Sequence, residues 1–222
     1  MTVPSLELAL RRGAGELSLA LTDAQFGQLL EYLALLQKWG RVYNLTAVRD
    51  PGDMLTHHVL DSLALIPPLS RHIAHDADAS RALRVLDVGS GAGLPGVVIA
   101  ICCPALSVSC VDTVAKKTAF IQQVAANLRL TNLRGVHARV EKLTDKYDVV
   151  VSRAFASLPD FVQWSGGALA QDGVWLAMKG KHPADELAAM PAGIEVFHVE
   201  QLRVPGLDAQ RCLVWMRPRA AH

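Results

Sequence analysis

The stretch Asp87-Val-Gly-Ser-Gly-Ala-Gly-Leu-Pro-Gly96, directly behind Arg84-Val-Leu86, reads as the end of a strand, a glycine turn and the start of a helix. Gly89, Gly91 and Gly93 remove side chains where a backbone must turn sharply and approach a ligand, and Pro95 presets φ for a first helical turn. A helix that begins there points its unpaired amides at whatever the loop holds, so the stretch predicts a nucleotide-type cofactor.

Upstream of the loop two helices are legible. The first opens with Thr22 and Gln25 in capping-box spacing, carries Phe26, Leu29, Leu30, Leu33 and Leu36 on one stripe, and is expected to stop at Gly40. The second has Asp50 as N-cap, Pro51 at its first position and Asp53 in its first turn, and is expected to end before Pro67-Pro68. A polar link, 70–81, follows. Downstream, strands are expected at 85–88, 108–111, 135–138, 147–152 and 173–179, with helices at 95–102, 114–130, 159–169 and 183–190. Runs 194–202 and 212–216, joined by a turn with Pro205-Gly206, are expected to pair antiparallel. Alternating strands and helices predict a mostly parallel sheet covered by helices. The expected fold is therefore α/β: a Rossmann-like, seven-stranded sheet with an antiparallel terminal strand at 84–222, carrying an N-terminal helical extension, 1–83.

The 222 residues, 51% hydrophobic and 19% charged with a net charge of +1, describe an ordinary globular chain with no global pull towards nucleic acid or anionic lipid. Cys102, Cys103, Cys110 and Cys212 lack metal-site spacing and read as reduced structural thiols. His57 and His58 diverge by about 100° on a helix, so no metal is expected. Arg11, Arg12, Gly13 and Gly15 interrupt the first apolar stretch, which argues against a signal peptide. The apolar run 97–106 contains Pro104 and falls well short of the ~20 residues that span a bilayer, so a soluble, cytoplasmic protein away from membranes is expected, as a monomer.

Read alone, the loop fits two cofactors. Gly91-x-Gly93-x-x-Gly96 satisfies the dinucleotide fingerprint, whereas Asp87-x-Gly89-x-Gly91-x-Gly93 satisfies the acidic, glycine-rich loop of S-adenosylmethionine enzymes. Asp112, roughly 20 residues beyond the loop at the end of the second strand, suits ribose hydroxyls in either case. Asp87 separates them: a carboxylate at the tip of the first strand repels a pyrophosphate but suits a ligand bearing an ammonium and a sulfonium. The terminal antiparallel pair favours the same choice. Arg139-Val140-Glu141 and Ser152-Arg-Ala-Phe155 follow the third and fourth strands, at the edge where open α/β sheets bind ligands.

Several blocks in order then carry a family likeness: Asn44-Leu-Thr-Ala-Val-Arg-Asp50, His58-Val-Leu-Asp-Ser62, Val85 to Gly96, Ser152-Arg-Ala-Phe-Ala-Ser157 and Met178-Lys-Gly180. The sequence resembles the ribosomal small-subunit methyltransferase G family, also called glucose-inhibited division protein B. The resemblance implies a class I methyltransferase that moves a methyl from S-adenosylmethionine to N7 of a guanine in 16S ribosomal RNA near the decoding site, acting on the RNA or the small subunit. By motif position it implies that Gly89, Leu94, Val140, Glu141 and Arg153 contact the cofactor, with Asp87, Gly91 and Asp112 added from their places around the loop.

Guanine N7 carries a lone pair and no proton, so the transfer needs no general base, and no catalytic residue is assigned. In-line positioning can supply on the order of 7–11 kcal/mol. Lys116, Lys117, Arg129, Arg134, Arg139, Lys142 and Arg153, with Arg41 and Arg49, are candidates for RNA phosphates. Phe155 is a candidate to stack on a flipped guanine, although a lone Phe beside a strand is more often core. His58, Asp61 and Ser62 share a helix face that could meet or brace the cleft. A nicotinamide-dependent oxidoreductase and a non-catalytic cofactor or RNA-binding module are the competing classes.

Overall fold

The computed structural model describes residues 3–74 and 81–219. Five helical segments come first: α1 (Val3–Glu16), α2 (Asp23–Tyr43), α3 (Pro51–Met54), α4 (Asp61–Leu63) and α5 (Ile66–Ala74), with a π-helical turn, Leu55–Leu60, between α3 and α4. Then follow β1 (Arg84–Val88), α6 (Gly96–Cys102), β2 (Ser107–Asp112), α7 (Ala115–Asn127), β3 (Leu133–His137), β4 (Tyr147–Arg153), α8 (Leu158–Ser165), β5 (Leu169–Lys179), α9 (Ala184–Ala188), β6 (Ile194–Leu202) and β7 (Arg211–Pro218).

The capping box that opens α2 is present: Thr22 accepts from the Gln25 amide while the Gln25 side chain accepts from the Thr22 amide. The helix does not stop at Gly40. It runs on to Tyr43 and ends at Asn44, which takes the left-handed conformation (φ 52°) and sends its N–H to the Gly40 carbonyl. Asparagine tolerates that conformation because its short polar side chain bonds locally. The break before the paired prolines holds, but Pro67 and Pro68 then sit in the first turn of α5, where their missing amides cost nothing. Residues 70–74 are thus helical, and 75–80 of the expected link lie outside the described residues. Helix α1 was not anticipated; Leu6, Leu10 and Ala14 form its buried stripe at every fourth position. Near the other end, β5 begins at Leu169 rather than 173, taking over the last residue expected in the preceding helix.

The seven strands lie in the order β3-β2-β1-β4-β5-β7-β6. β1 pairs parallel with β2 and β4, β2 with β3, and β4 with β5. β7, last in the chain, is inserted antiparallel between β5 and β6. One apolar core lies between the sheet and the N-terminal helices with α6 and α7, and takes in Leu29, Tyr32, Val59, Val85 and Ile99. The other packs α8 against the opposite face through Leu86, Val88, Phe161 and Trp175. Chain order reverses between β1 and β4, and at such a switch point the loops diverge and leave a crevice at the carboxyl ends of the strands.

Candidate active site

Two cavities open at that crevice, of about 500 Å³ and 430 Å³, and both are lined by Gly89 and Ala154. Gly89 sits at φ +66°, and a Cβ there would lie 2.2 Å from the Phe155 ring. Only glycine lets the loop turn and Phe155 close on its backbone together. Ala154, at φ 53°, is a non-glycine residue in the left-handed region directly after β4. Such strain is retained where surrounding structure enforces it, often at functional sites.

The smaller cavity is lined by Val88, Val111, Val140, Phe155 and Trp164, with Asp112, Lys117, Arg139 and Glu141 among its polar groups. Phe155 packs edge-on against Phe161 at 6.4 Å and Trp164 at 5.8 Å. Asp112 ends β2, and its carboxylate accepts the Gly91 amide at 3.0 Å and the Val114 amide at 2.9 Å, with Lys117 at 3.4 Å. A carboxylate offers about four acceptor positions, so capacity remains for a ligand hydroxyl. Apolar walls for a flat ring, a glycine backbone within reach and a carboxylate at the strand end fit an adenosine group.

The larger cavity is bounded by Thr46, His57, His58 and Asp61 on one side, by Gly89 to Ala92 and Leu94 on another, and by Arg153, Met178, Lys179, Gly180 and Arg211. Arg153 donates to the Asp61 carboxylate at 2.7 Å and to the His57 carbonyl, inside the π-helical turn, at 2.8 Å. A π turn alters the local hydrogen-bond ladder and is frequent at functional sites. Arg211 takes the other Asp61 oxygen at 2.8 Å. His58 lies 2.7 Å from the Thr46 hydroxyl through Nε2. Burial first, and the Arg153 charge second, push its pKa below the ordinary histidine value, so the ring is neutral at neutral pH.

Gly89, Gly91, Leu94, Asp112, Val140, Glu141 and Arg153 all line these cavities. Asp87, expected to approach a cationic ligand, lines neither cavity. Side chains alternate along β1, so Asp87 points beneath α6 rather than out of the strand end, and it is wholly buried. One oxygen accepts the Gly96 amide at 2.8 Å, while Oδ1 has no partner among the described residues. A Cβ on Gly96 would lie 2.9 Å from Asp87 and 2.3 Å from Cys110, so the loop is seated on this carboxyl by close approach. Burial, against the pull of the Gly96 amide and Arg153, raises the Asp87 pKa to about 7. Pro95, correspondingly, is the N-cap of α6 and Gly96 its first residue.

Of the candidate RNA-binding cations, Arg153 is committed to Asp61 and Lys117 leans on Asp112. Arg134 binds Asp145, Ser109 and Tyr147 near the amino ends of the strands, away from the crevice. Arg129 follows α7 at that same end. Lys116, Arg139, Lys142 and Arg49 are exposed, and the Arg41 side chain lies outside the described residues. Phe155 is half-buried and lines the smaller cavity, not the larger one. His58 and Asp61 face the crevice, while Ser62 is buried behind them. Arg211 and Trp164 were missed, since a single Arg at a strand start and a single Trp on a short helix carry no signal of their own.

A family model described as GidB, rRNA small subunit methyltransferase G, matches residues 25–214. A ribosomal RNA small subunit methyltransferase G of Paracidovorax citrulli (strain AAC00-1) is 66% identical over 227 residues, covering 99% of this chain and 93% of that one. One from Acidovorax sp. (strain JS42) is 66% identical over 219 residues, 97% of each. Among solved structures, magnesium protoporphyrin IX methyltransferase of Synechocystis PCC 6803 with bound S-adenosylmethionine superposes with a TM-score of 0.59 at 15% identity, covering 89% of this chain and 99% of that one. Ribosomal protein L11 methylase of Lactobacillus delbrueckii subsp. bulgaricus gives 0.55 at 14% identity, over 72% and 79%. These two likenesses concern the fold.

Proposed function

The chain belongs to the rRNA small subunit methyltransferase G family, and from that premise we propose that it methylates N7 of one guanine in 16S ribosomal RNA near the decoding site, using S-adenosylmethionine. When bound, that cofactor supplies a methyl on a positively charged sulfur, open to attack by a lone pair. Asp112 and Glu141 would hold the adenosine's hydroxyl and amino groups between the Val140 and Phe155 walls, with Gly89, Gly91 and Leu94 forming the floor that leads into the larger cavity.

One observation carries the choice of N7. Asp61 is the carboxylate lining the larger cavity among the described residues, and a guanidinium occupies each of its oxygens. It is poorly placed to take a proton from an exocyclic amine, whereas N7 has none to give up. The residues then act by alignment. Arg153, held by Asp61 and the His57 carbonyl, fixes the wall opposite the glycine loop, and neutral His58 adds no charge that would oppose an approaching cation. Orientation of this kind can account for on the order of 7–11 kcal/mol. The protein would work in the cytoplasm, as a monomer; no helix among the described residues is long and apolar enough to cross a membrane.

The test is transfer of radiolabelled methyl to small subunits lacking the mark, followed by nucleoside analysis. Label recovered as 7-methylguanosine is expected, and label on another atom sinks the N7 assignment. S-adenosylhomocysteine should raise the melting temperature and NAD should leave it unchanged; the reverse pattern would restore the oxidoreductase reading.

A further inference from the structure

A guanine that enters the larger cavity brings the phosphates of its strand with it. Resting on the guanine-N7 reading, we propose that Arg211 is the phosphate anchor of the acceptor strand: its guanidinium, set by Asp61 and the Gln210 carbonyl, takes an RNA phosphate next to the target guanine.

Placement gives the first argument. β7 runs antiparallel, so its first residue stands at the carboxyl edge of the parallel strands, and the pairing of Lys179 with Cys212 sets Arg211 beside Gly180. In the order β1-β4-β5-β7, Arg153 is on the strand next to the glycine loop and Arg211 two strands further out, about 10 Å at the usual strand spacing. Both guanidiniums line the larger cavity, with Arg211 the further of the two from the glycine loop along the sheet.

Charge gives the second. The Asp61 side chain is 3% exposed and serves two guanidiniums at 2.7 and 2.8 Å, so this wall carries one positive charge in surplus. Lys179 adds none, because Glu186 holds its ammonium at 2.8 Å. Surplus charge in a partly desolvated wall is strongly attractive to an anion. Donor count gives the third. Arg211 spends Nε on Asp61 and Nη1 on the Gln210 carbonyl, each at 2.8 Å, while its Nη2 meets no acceptor among the described residues. The side chain is 23% exposed. A guanidinium held at Nε and Nη1, with Nη2 left to donate, offers a phosphate oxygen one pre-positioned, charge-assisted hydrogen bond.

The experiment measures binding of wild type, Arg211→Ala, Arg211→Gln and Arg211→Lys to small subunits over a salt series, with S-adenosylhomocysteine affinity and methyl-transfer kinetics alongside. Loss of one phosphate contact should lower the slope of log affinity against log salt by about one in the Ala and Gln variants. KM for subunits should rise about tenfold in both, with kcat and S-adenosylhomocysteine affinity within about twofold of wild type. Gln preserves bulk and a hydrogen bond to Asp61, so it decides the matter should Ala fail to fold, and Lys should restore the slope. An unchanged slope and KM overturn the assignment. So does a parallel loss of S-adenosylhomocysteine affinity, which would make the guanidinium a partner of the cofactor's own carboxylate. Absence of methyl transfer by the wild type would overturn the functional reading instead, and the two failures are distinguished within one assay.

Discussion

Asp87 shows how a single carboxyl can be both a sequence landmark and a structural burden. It is wholly buried, one oxygen is bonded to the Gly96 amide and the other lacks a partner among the described residues. Desolvation raises its pKa from 3.8 to about 7. The folded carboxyl therefore keeps its proton up to about pH 7 while the unfolded one loses it near pH 4. Between those values the native state binds more protons, so this group's contribution to stability is full at low pH and declines as pH rises towards 7. Asp87→Asn mimics the protonated form and cannot titrate. Relative to the variant, wild type is expected to lose roughly 2 kcal/mol of stability between pH 5 and 7.5, taking about 1.4 kcal/mol per pKa unit. Urea denaturation at the two pH values checks it, and a constant difference would show that Asp87 ionises normally. The residue's importance was legible from its place before the glycines, but its direction was not. Reading it as the tip of a strand put it against the ligand, whereas strand alternation put it under α6. Arg153, by contrast, was placed correctly at the crevice because it lies at the strand's very end, where the chain turns into the cavity.

At the scale of elements, the N-terminal helices do more than cover the sheet. Tyr32, in the middle of α2 and fully buried, donates its hydroxyl to the Ala92 carbonyl at 2.8 Å, which ties that helix to the glycine loop. Gln25 does the same for the end of α6, donating to the Ile101 and Cys102 carbonyls. Tyr32→Phe keeps the ring and leaves the Ala92 carbonyl unpaired in an apolar setting, at a cost of about 1–3 kcal/mol. The expected result is a lower melting temperature together with weaker S-adenosylhomocysteine binding, read by calorimetry of both. Reduced stability with unchanged affinity would mean that the loop does not depend on its tie to α2. The strands and the helices between them were legible because short apolar runs and helical segments alternate after Arg84. The segment 51–63 was legible as helical but not as a π turn, because its start and stop signals are those of any helix and do not mark a wider turn inside it. That turn nevertheless brings the His57 carbonyl to Arg153, so part of the site was hidden in a distinction the pattern cannot express.

Over the whole molecule, a net charge of +1 coexists with a cavity wall that carries a surplus positive charge from Arg153 and Arg211 around one Asp61, which is why composition said nothing about the partner. We propose the division into an extension, 1–83, and a methyltransferase core, 84–222, as an organisation by topology and not by independent stability. The argument lies in the apolar core on the α6 side: Leu29, Tyr32, Leu36, Val59 and Leu63 from the first part pack in one cluster with Val97, Ile99, Phe120 and Ile121 from the second. Removing the extension would expose the apolar residues of α6, α7 and the sheet that it shares this cluster with, and at ~25 cal/mol per Å² of apolar surface even a few hundred Å² rivals the 5–15 kcal/mol net stability of a typical protein. The full chain is therefore expected to unfold in one transition, with coincident curves by circular dichroism and tryptophan fluorescence. A fragment of residues 84–222 is expected to show no cooperative transition and to bind S-adenosylhomocysteine at least tenfold more weakly than the full chain. A fragment that melts cooperatively and binds with full affinity would make 84–222 a self-sufficient domain, and would mean that neither the shared core nor the Tyr32 bond to the loop is needed to shape the site.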